Sequence, residues 1–453
     1  MSVQVRAVVL AAGKGTRMKS ARAKVLHPLC GRPMLWYVLR ALRDAGVGDV
    51  LVVTNRDVAA EVCGIAGDAG LATASSVLQE PQLGTGHAVQ VALAQLEPGE
   101  GSLLVVNGDM PLVEHELIAR TILARENALA LVTARMPLPS SFGRIVRKGD
   151  AVERIVEARD ATAGELELDE MNAGLYAFDE AKLRRAVAEL KSDNAQGEYY
   201  LTDAVAHLHR DGERVVPVLA EDYRSVLGVN DRVELAQAAA LLNRRLCEQH
   251  MHRGVSIADP ATTYLEPDLA LEADVTILPN TAIGRRSRIG AHAEIGPNSR
   301  LQNARIGAHA VVTESVVVDS EIGDFALVGP FAHVRGGSAA GTGVRVGNFV
   351  ELKNAKLAPG VRAGHLSYLG DAEIGERSNV GAGTITCNYD GAEKHRTTVG
   401  KDAFIGSNSS LVAPLEIGDG ALTGAGAVVL DDVPAGARVV GNPAKPLPKK
   451  VRS

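Results

Sequence analysis

Hydrophobic positions along this chain follow two periods. From Val3 to about Gly228, short aliphatic runs (VRAVVLAA, DVLVVTN, SLLVVNGD, ALALVTA) alternate with stretches of helical spacing, the layout of an α/β domain. Runs this short and uniformly apolar suit strands covered on both faces, as in a Rossmann-like, mostly parallel sheet, whose ligands bind beyond the carboxyl ends of the strands. The segments LAAGKGTRM and NGDMP stand at such ends. A helix is expected from Pro33, whose fixed φ suits a first helical position, to a stop at Gly46, with a strand over Asp49 to Asn55. The segment Asp231 to His252 has no Gly or Pro and reads as a connecting helix.

Beyond that helix aliphatic residues recur at every sixth position, at Ile277, Ile283, Ile289, Ile295 and Leu301, and the register returns at Val399, Ile405, Leu411 and Ile417. A period of six fits neither a helix nor a hairpin strand; it is that of a left-handed parallel β-helix of hexapeptide repeats. The aliphatic residues point inward, Gly or small residues turn the corners, and Ile277 to Val439 supplies roughly nine coils. One coil cannot bury its own interior, so stacking makes the core. The stretch 384 to 397 (TITCNYDGAEKHRT) breaks the register and is expected to leave the solenoid as a functional loop. The organisation expected is therefore 1–228, a linker helix 229–253 and a repeat domain 254–453. A repeat alone is equally compatible with an inert spacer or an oligomerisation rod.

Length agrees with this division: 453 residues at roughly 150 per domain give two or three domains. A composition 46% hydrophobic and 23% charged, with net charge −6, offers no footprint for wrapping nucleic acid. The cysteines at 30, 63, 247 and 387 form neither CxxC pairs nor zinc spacing and read as reduced thiols of a cytoplasmic protein. The opening MSVQVRAVVLAAGKG has too short an apolar core for a secretory signal, and no apolar run is long enough for a bilayer. Aromatics are only 3%, with one tryptophan, Trp36, which disfavours stacking platforms for bases or sugars.

LAAGKGTRM is glycine-rich, yet it is not a P-loop, because Gly15 follows Lys14, nor a dinucleotide fingerprint, because Met18 stands where a third glycine is needed. What remains is a turn after a buried strand with Lys14, Arg17 and Lys24 nearby, a combination of backbone N–H groups and cations suited to polyphosphate. An ordinary tight turn has the same glycines.

LAAGKGTRM followed by AKVLHPLCGRPM resembles the signature of nucleotidyltransferases that make nucleoside-diphosphate sugars. With QEPQLGTGHA, NGDMPL, FGRI, IVEARDA, EMNAGLYAF and NAQGEYYLTD in order, and a hexapeptide domain behind them, the whole chain resembles the bacterial bifunctional N-acetylglucosamine-1-phosphate uridylyltransferase and glucosamine-1-phosphate acetyltransferase. The resemblance implies that acetyl-CoA acetylates glucosamine-1-phosphate, and that UTP then converts the product to UDP-N-acetylglucosamine, a precursor of peptidoglycan and lipopolysaccharide. It also implies a homotrimer through the β-helix, with no membrane insertion.

By the same resemblance, Leu10, Ala11, Ala12, Gly13 and Lys24 approach nucleotide and phosphate, and Arg17 stabilises charge developing on pyrophosphate. Gln79, Gly84 and Thr85 meet uracil, Asn107 and Gly108 of the NGDMP loop also bind substrate, and Asp109 with Asn230 binds Mg²⁺. Gly143, Glu157 and Asn172 meet the sugar. Such oxygen ligands fit magnesium, and the attacking phosphate is already ionised, so alignment and charge neutralisation are what the chemistry needs. On local pattern alone, Asn230 fits a helix N-cap before DRVELAQ, and Asp109 a turn before Pro111. The family commonly has proline where this chain has Ala23.

In the repeat domain the resemblance makes His365 the base that takes a proton from the amino sugar, a task suited to an imidazole. Arg335 and Lys353 hold the sugar phosphate, with Tyr368 and Asn379 beside them. Ala382, Asn388, Tyr389, Ser407 and Ala425 meet acetyl-CoA. Asn442 stands where some relatives have Arg, which leaves Lys445, Lys449 or Lys450 as partners for coenzyme A phosphates. His292 and His309, lone histidines of the repeat region, read as structural or simply exposed. Cys387 raises the option of a covalent acetyl-enzyme, but no base is paired with it in the sequence.

Overall fold

The computed structural model describes residues 5–446 and contains two compact units, divided between Ala240 and Leu241.

The first unit is built on a nine-stranded sheet. Its strands are β1 (Val5–Ala11), β2 (Asp49–Thr54), β3 (Ser75–Leu78), β4 (Ser102–Asn107), β5 (Leu129–Arg135), β6 (Arg144–Lys148), β7 (Ala151–Val156), β8 (Glu170–Asp179) and β9 (Val215–Leu219). They lie in the order β9-β5-β8-β4-β1-β2-β3, with the β6–β7 hairpin joined through β6 to β8. Strands β1 to β4 are parallel, and β8 runs antiparallel between β4 and β5. Consecutive residues Val8 and Val9, Val52 and Val53, and Val105 and Val106 are all inaccessible, so both faces of the sheet are covered. Chain order reverses between β1 and β4, which puts the ends of these two strands at the sheet's switch point.

Local chemistry moves some expected boundaries. Helix α1 spans Met34–Asp44, and Pro33 precedes it at ψ 146°, closing a two-residue hairpin with Pro28 instead of opening the helix. Gly46, at φ 83°, ends the turn as expected. Strand β2 stops at Thr54 because the Asn55 side chain accepts the Val58 N–H at 3.0 Å and caps helix α2 (Arg56–Ala69). The connecting helix spans Arg232–Met251.

The second unit is a left-handed parallel β-helix. Short strands pair rung upon rung, Ile277 with Ile295, Ile283 with Leu301 and Leu352 with Leu369. All nine aliphatic residues of the six-residue register are at most 2% exposed and form the prism's interior. The corners differ from expectation. Positive φ is carried by residues such as Asp274 (61°), Asn280 (58°), His292 (59°) and Asn298 (52°), types that tolerate the left-handed region. Gly290 is needed for a different reason: a Cβ there would lie 2.7 Å from the Ala308 nitrogen of the next coil.

The excursion is shorter than the expected 384–397. Ile385–Cys387 stays in the sheet beside Ser410–Val412, and Thr397–Val399 rejoins beside Leu415–Ile417, leaving 388–396 outside. Thr384 and Thr386 are buried and donate their hydroxyls to the Gly381 and Gly370 carbonyls at 2.7 and 2.9 Å, which lets polar residues take interior positions. Among the described residues no helix is long and apolar enough to cross a membrane. The four cysteines are free thiols.

Candidate active sites

The loop after β1 turns at Gly15 (φ 58°), where a Cβ would come within 2.7 Å of the Lys24 Cβ. That missing side chain lets Lys24 pack against the loop and reach the end of β4. Its Nζ forms a short ion pair with the Asp109 carboxylate and a 3.2 Å hydrogen bond to Asn230 Oδ1. The helix cap that competed for Asn230 is supplied by its neighbour: Asp231 Oδ1 accepts the N–H groups of Val233 and Glu234 at 2.8 and 2.9 Å. Asn230 keeps its side chain for the site. Gly108 N–H donates to the Leu10 carbonyl at 2.8 Å and ties the two loops together.

A cavity of about 500 Å³ opens here, lined by Leu10, Gly13, Lys14, Arg17, Lys24, Gln79, Gly84, Thr85, Asn107, Asp109 and Asn230. Ala11 and Ala12 lie buried beneath it, outside the lining; the Ala12 carbonyl accepts from Gln82 Nε2 at 2.6 Å. Gly108 likewise acts from behind. Gln79 is buried, and its Nε2 donates to the Gly84 carbonyl at 2.9 Å and faces His87 Nδ1 at 3.1 Å. Gly84 has φ 100° and lies so close to the Tyr199 carbonyl that a Cβ would approach it to 2.7 Å. Thr85 opens helix α3 (Thr85–Gln95), and its Oγ1 accepts the Leu201 N–H at 3.1 Å.

A second cavity, about 370 Å³, shares Leu10, Arg17, Thr85, Asn107, Asp109 and Asn230 with the first and continues to Gly143, Glu157 and Asn172. Strand β8 is irregular between Asn172 and Tyr176, as strands often are where a side chain must be re-aimed. Asn172 donates its backbone N–H to Gly143 O at 2.8 Å and its Nδ2 to the Tyr176 hydroxyl at 2.7 Å. Burial raises the Glu157 carboxyl above its ordinary value, against a 3.1 Å hydrogen bond from Thr202, with Asp203 and Asp160 adding to the rise. Arg144 is almost inaccessible and donates to the Ser140, Phe142 and Leu166 carbonyls, which curls the Ser140–Gly143 wall of this cavity.

On the β-helix, residues at equivalent positions of successive coils stack. Arg335 stands in register with Lys353, and Lys353 with Gly370; Glu351 stands in register with Tyr368, and Asn348 with His365. Arg335 Nε donates to Glu351 Oε1 at 2.7 Å. Lys394, from the excursion, meets Lys353 side by side; its ammonium is the largest cause lowering Lys353, followed among neighbouring charges by Arg335, with Asp371 pulling the other way. Three cations therefore converge here, with Glu351 against Arg335 and Asp371 attracting the two lysines. His365 is exposed, and its Nδ1 faces Asn348 Oδ1.

Ala382, Ser407 and Ala425 follow Gly381, Gly406 and Gly424 on three successive coils of another corner, where Cβ atoms on Gly381 and Gly406 would lie 2.5 and 2.6 Å from the nitrogens of Ser407 and Ala425. Asn379 lies in register with Arg362 and Phe404. Asn388 is buried at the root of the excursion, whereas Tyr389 is exposed. Asn442 and Lys445 are exposed near the end of the described chain; Lys449 and Lys450 lie outside the described residues. Burial pushes the Cys387 thiol up, the wrong direction for a nucleophile. Sequence reasoning missed Asn348, Glu351 and Lys394, and also Tyr176 and Thr202; coil register would have exposed the first, one rung before His365.

Fold and sites together define a nucleotidyltransferase joined to a hexapeptide-repeat transferase. Residues 7–250 match the MobA-like NTP transferase domain, and residues 396–431 the hexapeptide repeat of succinyl-transferase. The chain is 45% identical over 441 residues to the bifunctional protein GlmU of Brevibacillus brevis, covering 96% of this chain and 95% of that one. It is 44% identical over 436 residues to the bifunctional protein GlmU of Staphylococcus haemolyticus, covering 95% and 96%. The chain belongs to the bifunctional GlmU family. It is a transferase that combines uridylyl transfer with acetyl transfer in the synthesis of UDP-N-acetylglucosamine for the cell wall.

Proposed function

We propose that the two reactions divide between the cavities of the first unit and the cation-lined face of the second. The observation that carries this division is that each unit gathers its own anion-binding cations: Lys24, Arg17 and Lys14 about Asp109 and Asn230 in the first, and in the second, which also carries His365, Arg335 and Lys353 on successive coils with Lys394 brought to them by the excursion.

In the first unit the phosphate of N-acetylglucosamine-1-phosphate attacks the α-phosphorus of UTP; the new P–O bond forms as the bond to pyrophosphate breaks. No side chain need act as nucleophile. Asp109 and Asn230 each turn one oxygen to the Lys24 ammonium, so the pair already accommodates a cation, and one carboxylate with one amide suits Mg²⁺. Bound there, Mg²⁺ would neutralise phosphate charge. Lys24 and Arg17 add positive charge where pyrophosphate leaves, and Gly13 lets the loop approach it. Gln79 spends its NH₂ group on Gly84 and His87, so its carbonyl oxygen is what it offers to the uracil imide, with Gly84 and Thr85 shaping the slot. Gly143, Glu157 and Asn172 receive the sugar.

In the second unit, Arg335, Lys353 and Lys394 hold the phosphate of glucosamine-1-phosphate, with Tyr368 and Asn379 bordering it. The amine attacks the acetyl-CoA thioester: a C–N bond forms, the C–S bond breaks, His365 takes the amine proton and coenzyme A leaves as a thiolate, which then takes up a proton to become the thiol. Asn388, Tyr389 and the small residues Ala382, Ser407 and Ala425 receive acetyl-CoA, with Asn442 near its far end. Phe331, Phe349 and Leu366 are 54%, 56% and 60% exposed, and the two phenylalanine rings stack at 5.3 Å. This apolar stripe runs beside His365 and supports a homotrimer in which neighbouring prisms cover it. The free thiols fit a cytoplasmic enzyme.

Purified protein given glucosamine-1-phosphate, acetyl-CoA, UTP and Mg²⁺ should yield UDP-N-acetylglucosamine by mass spectrometry. Without acetyl-CoA, the N-acetylated product should not form. Its formation without acetyl-CoA, or its absence from the complete mixture, would overturn the reading.

A further inference from the structure

The excursion 388–396 is internally tied. Asp390 accepts the N–H groups of Ala392 and Glu393 at 2.8 and 2.7 Å and faces His395 Nε2 at 2.6 Å, while the His395 N–H donates to the Asn388 carbonyl at 2.8 Å. A segment braced in this way moves as a unit, so what fixes its root also fixes Lys394.

Asp371 touches both ends of that root. Its carboxylate accepts the amide of Asn388, where the chain leaves the prism, and its backbone carbonyl accepts the Thr397 N–H at 3.2 Å, where the chain returns. The other carboxylate oxygen accepts Asn354 Nδ2 at 2.6 Å from the preceding coil, and the Asp371 N–H donates to the Lys353 carbonyl at 3.0 Å. Asp371 itself sits at a corner with φ 48°, a conformation that aspartate adopts more readily than most residues.

We propose that Asp371 is the positioning residue that anchors the 388–396 excursion to the prism and so holds Lys394 beside Lys353. The inference rests on the reading above, in which these lysines receive the sugar phosphate. Electrostatics agree with the geometry. Two ammonium groups side by side repel, and the Asp371 carboxylate attracts both of them. Although burial would push Asp371 up, hydrogen bonds from Asn354 and Asn388 and the charges of Lys394 and Lys353 outweigh it and keep the carboxyl below its ordinary value. An anion here therefore holds the cationic pocket together while no phosphate is present.

The test uses full-length Asp371→Ala and Asp371→Asn, with KM and kcat for acetyl transfer, uridylyl transfer in the same preparation, and amide hydrogen exchange over 388–396. Loss of a charged hydrogen-bond acceptor should raise KM for glucosamine-1-phosphate and acetyl-CoA about ten-fold or more in Asp371→Ala. It should lower kcat less, speed exchange in the excursion and leave uridylyl transfer unchanged. Asp371→Asn, which keeps one acceptor, should fall between it and the native chain. Unchanged exchange in the excursion together with unchanged KM would overturn the proposal. Should Asp371→Ala not fold, Asn354→Ala removes only the outer partner of the carboxylate and must move exchange in the same direction by less; no movement there also overturns it. If the native chain fails to acetylate glucosamine-1-phosphate, the functional reading falls, while the exchange measurement still decides the anchor.

Discussion

His365 Nδ1 faces the side-chain oxygen of Asn348, one coil earlier in the same register. With an oxygen against it, Nδ1 carries the proton, and the lone pair stays on Nε2, the nitrogen available to an incoming amine. Asn348→Ala should therefore lower kcat for acetyl transfer about ten-fold, the equivalent of one lost hydrogen bond. Asn348→Asp should move the acidic limb of the pH–rate profile to higher pH, because a neighbouring carboxylate favours imidazolium. Steady-state kinetics across pH checks both, and an unshifted limb would remove Asn348 from the account.

Glu157 gives a stability prediction opposite to that of a typical salt-bridged carboxylate. Its folded pKa is raised, chiefly by burial, so the folded chain binds the proton more tightly than the unfolded chain does. Stability from this group falls as pH rises from the ordinary carboxyl range through the raised folded value, and the cost is complete above it. Glu157→Gln keeps an oxygen for Thr202 and removes the charge. Its melting temperature should exceed that of the native chain at pH 8 and match it more closely at pH 4, while KM for N-acetylglucosamine-1-phosphate rises. A melting difference independent of pH would contradict the burial argument.

Ala23 has φ −58° and ψ 144°, values that a proline ring accepts. Ala23→Pro should stabilise the chain by about 0.4–1 kcal/mol by restricting the unfolded state. Denaturant titration measures it, and the catalytic constants should hardly change, because the Lys24 turn already has this conformation.

Most of the architecture was legible where one requirement repeats. The six-residue aliphatic register is such a requirement, and every residue assigned to it is interior. Thr384 and Thr386 escaped it because their burial depends on carbonyls that accept their hydroxyls, Gly381 three residues earlier and Gly370 on the preceding coil. Asn230 was locally ambiguous, because its position before DRVELAQ suits a helix N-cap, and only the folded chain shows Asp231 taking that role while Asn230 turns to Lys24. Asn348 and Lys394 carry no local signal. The partner of His365 is 17 residues away and becomes a neighbour only through coil stacking, and Lys394 reaches Lys353 from a segment with no repeat to announce it.

The central claim is that two independent constellations serve two reactions. Measured on one preparation each, Asp109→Ala should lose pyrophosphate release by at least about 100-fold, as expected for removing a group that holds transition-state charge, and keep coenzyme A release. His365→Ala should lose coenzyme A release by about 10²- to 10⁴-fold and keep pyrophosphate release. Both products surviving in His365→Ala, or both disappearing in either variant while the protein remains folded, would contradict it.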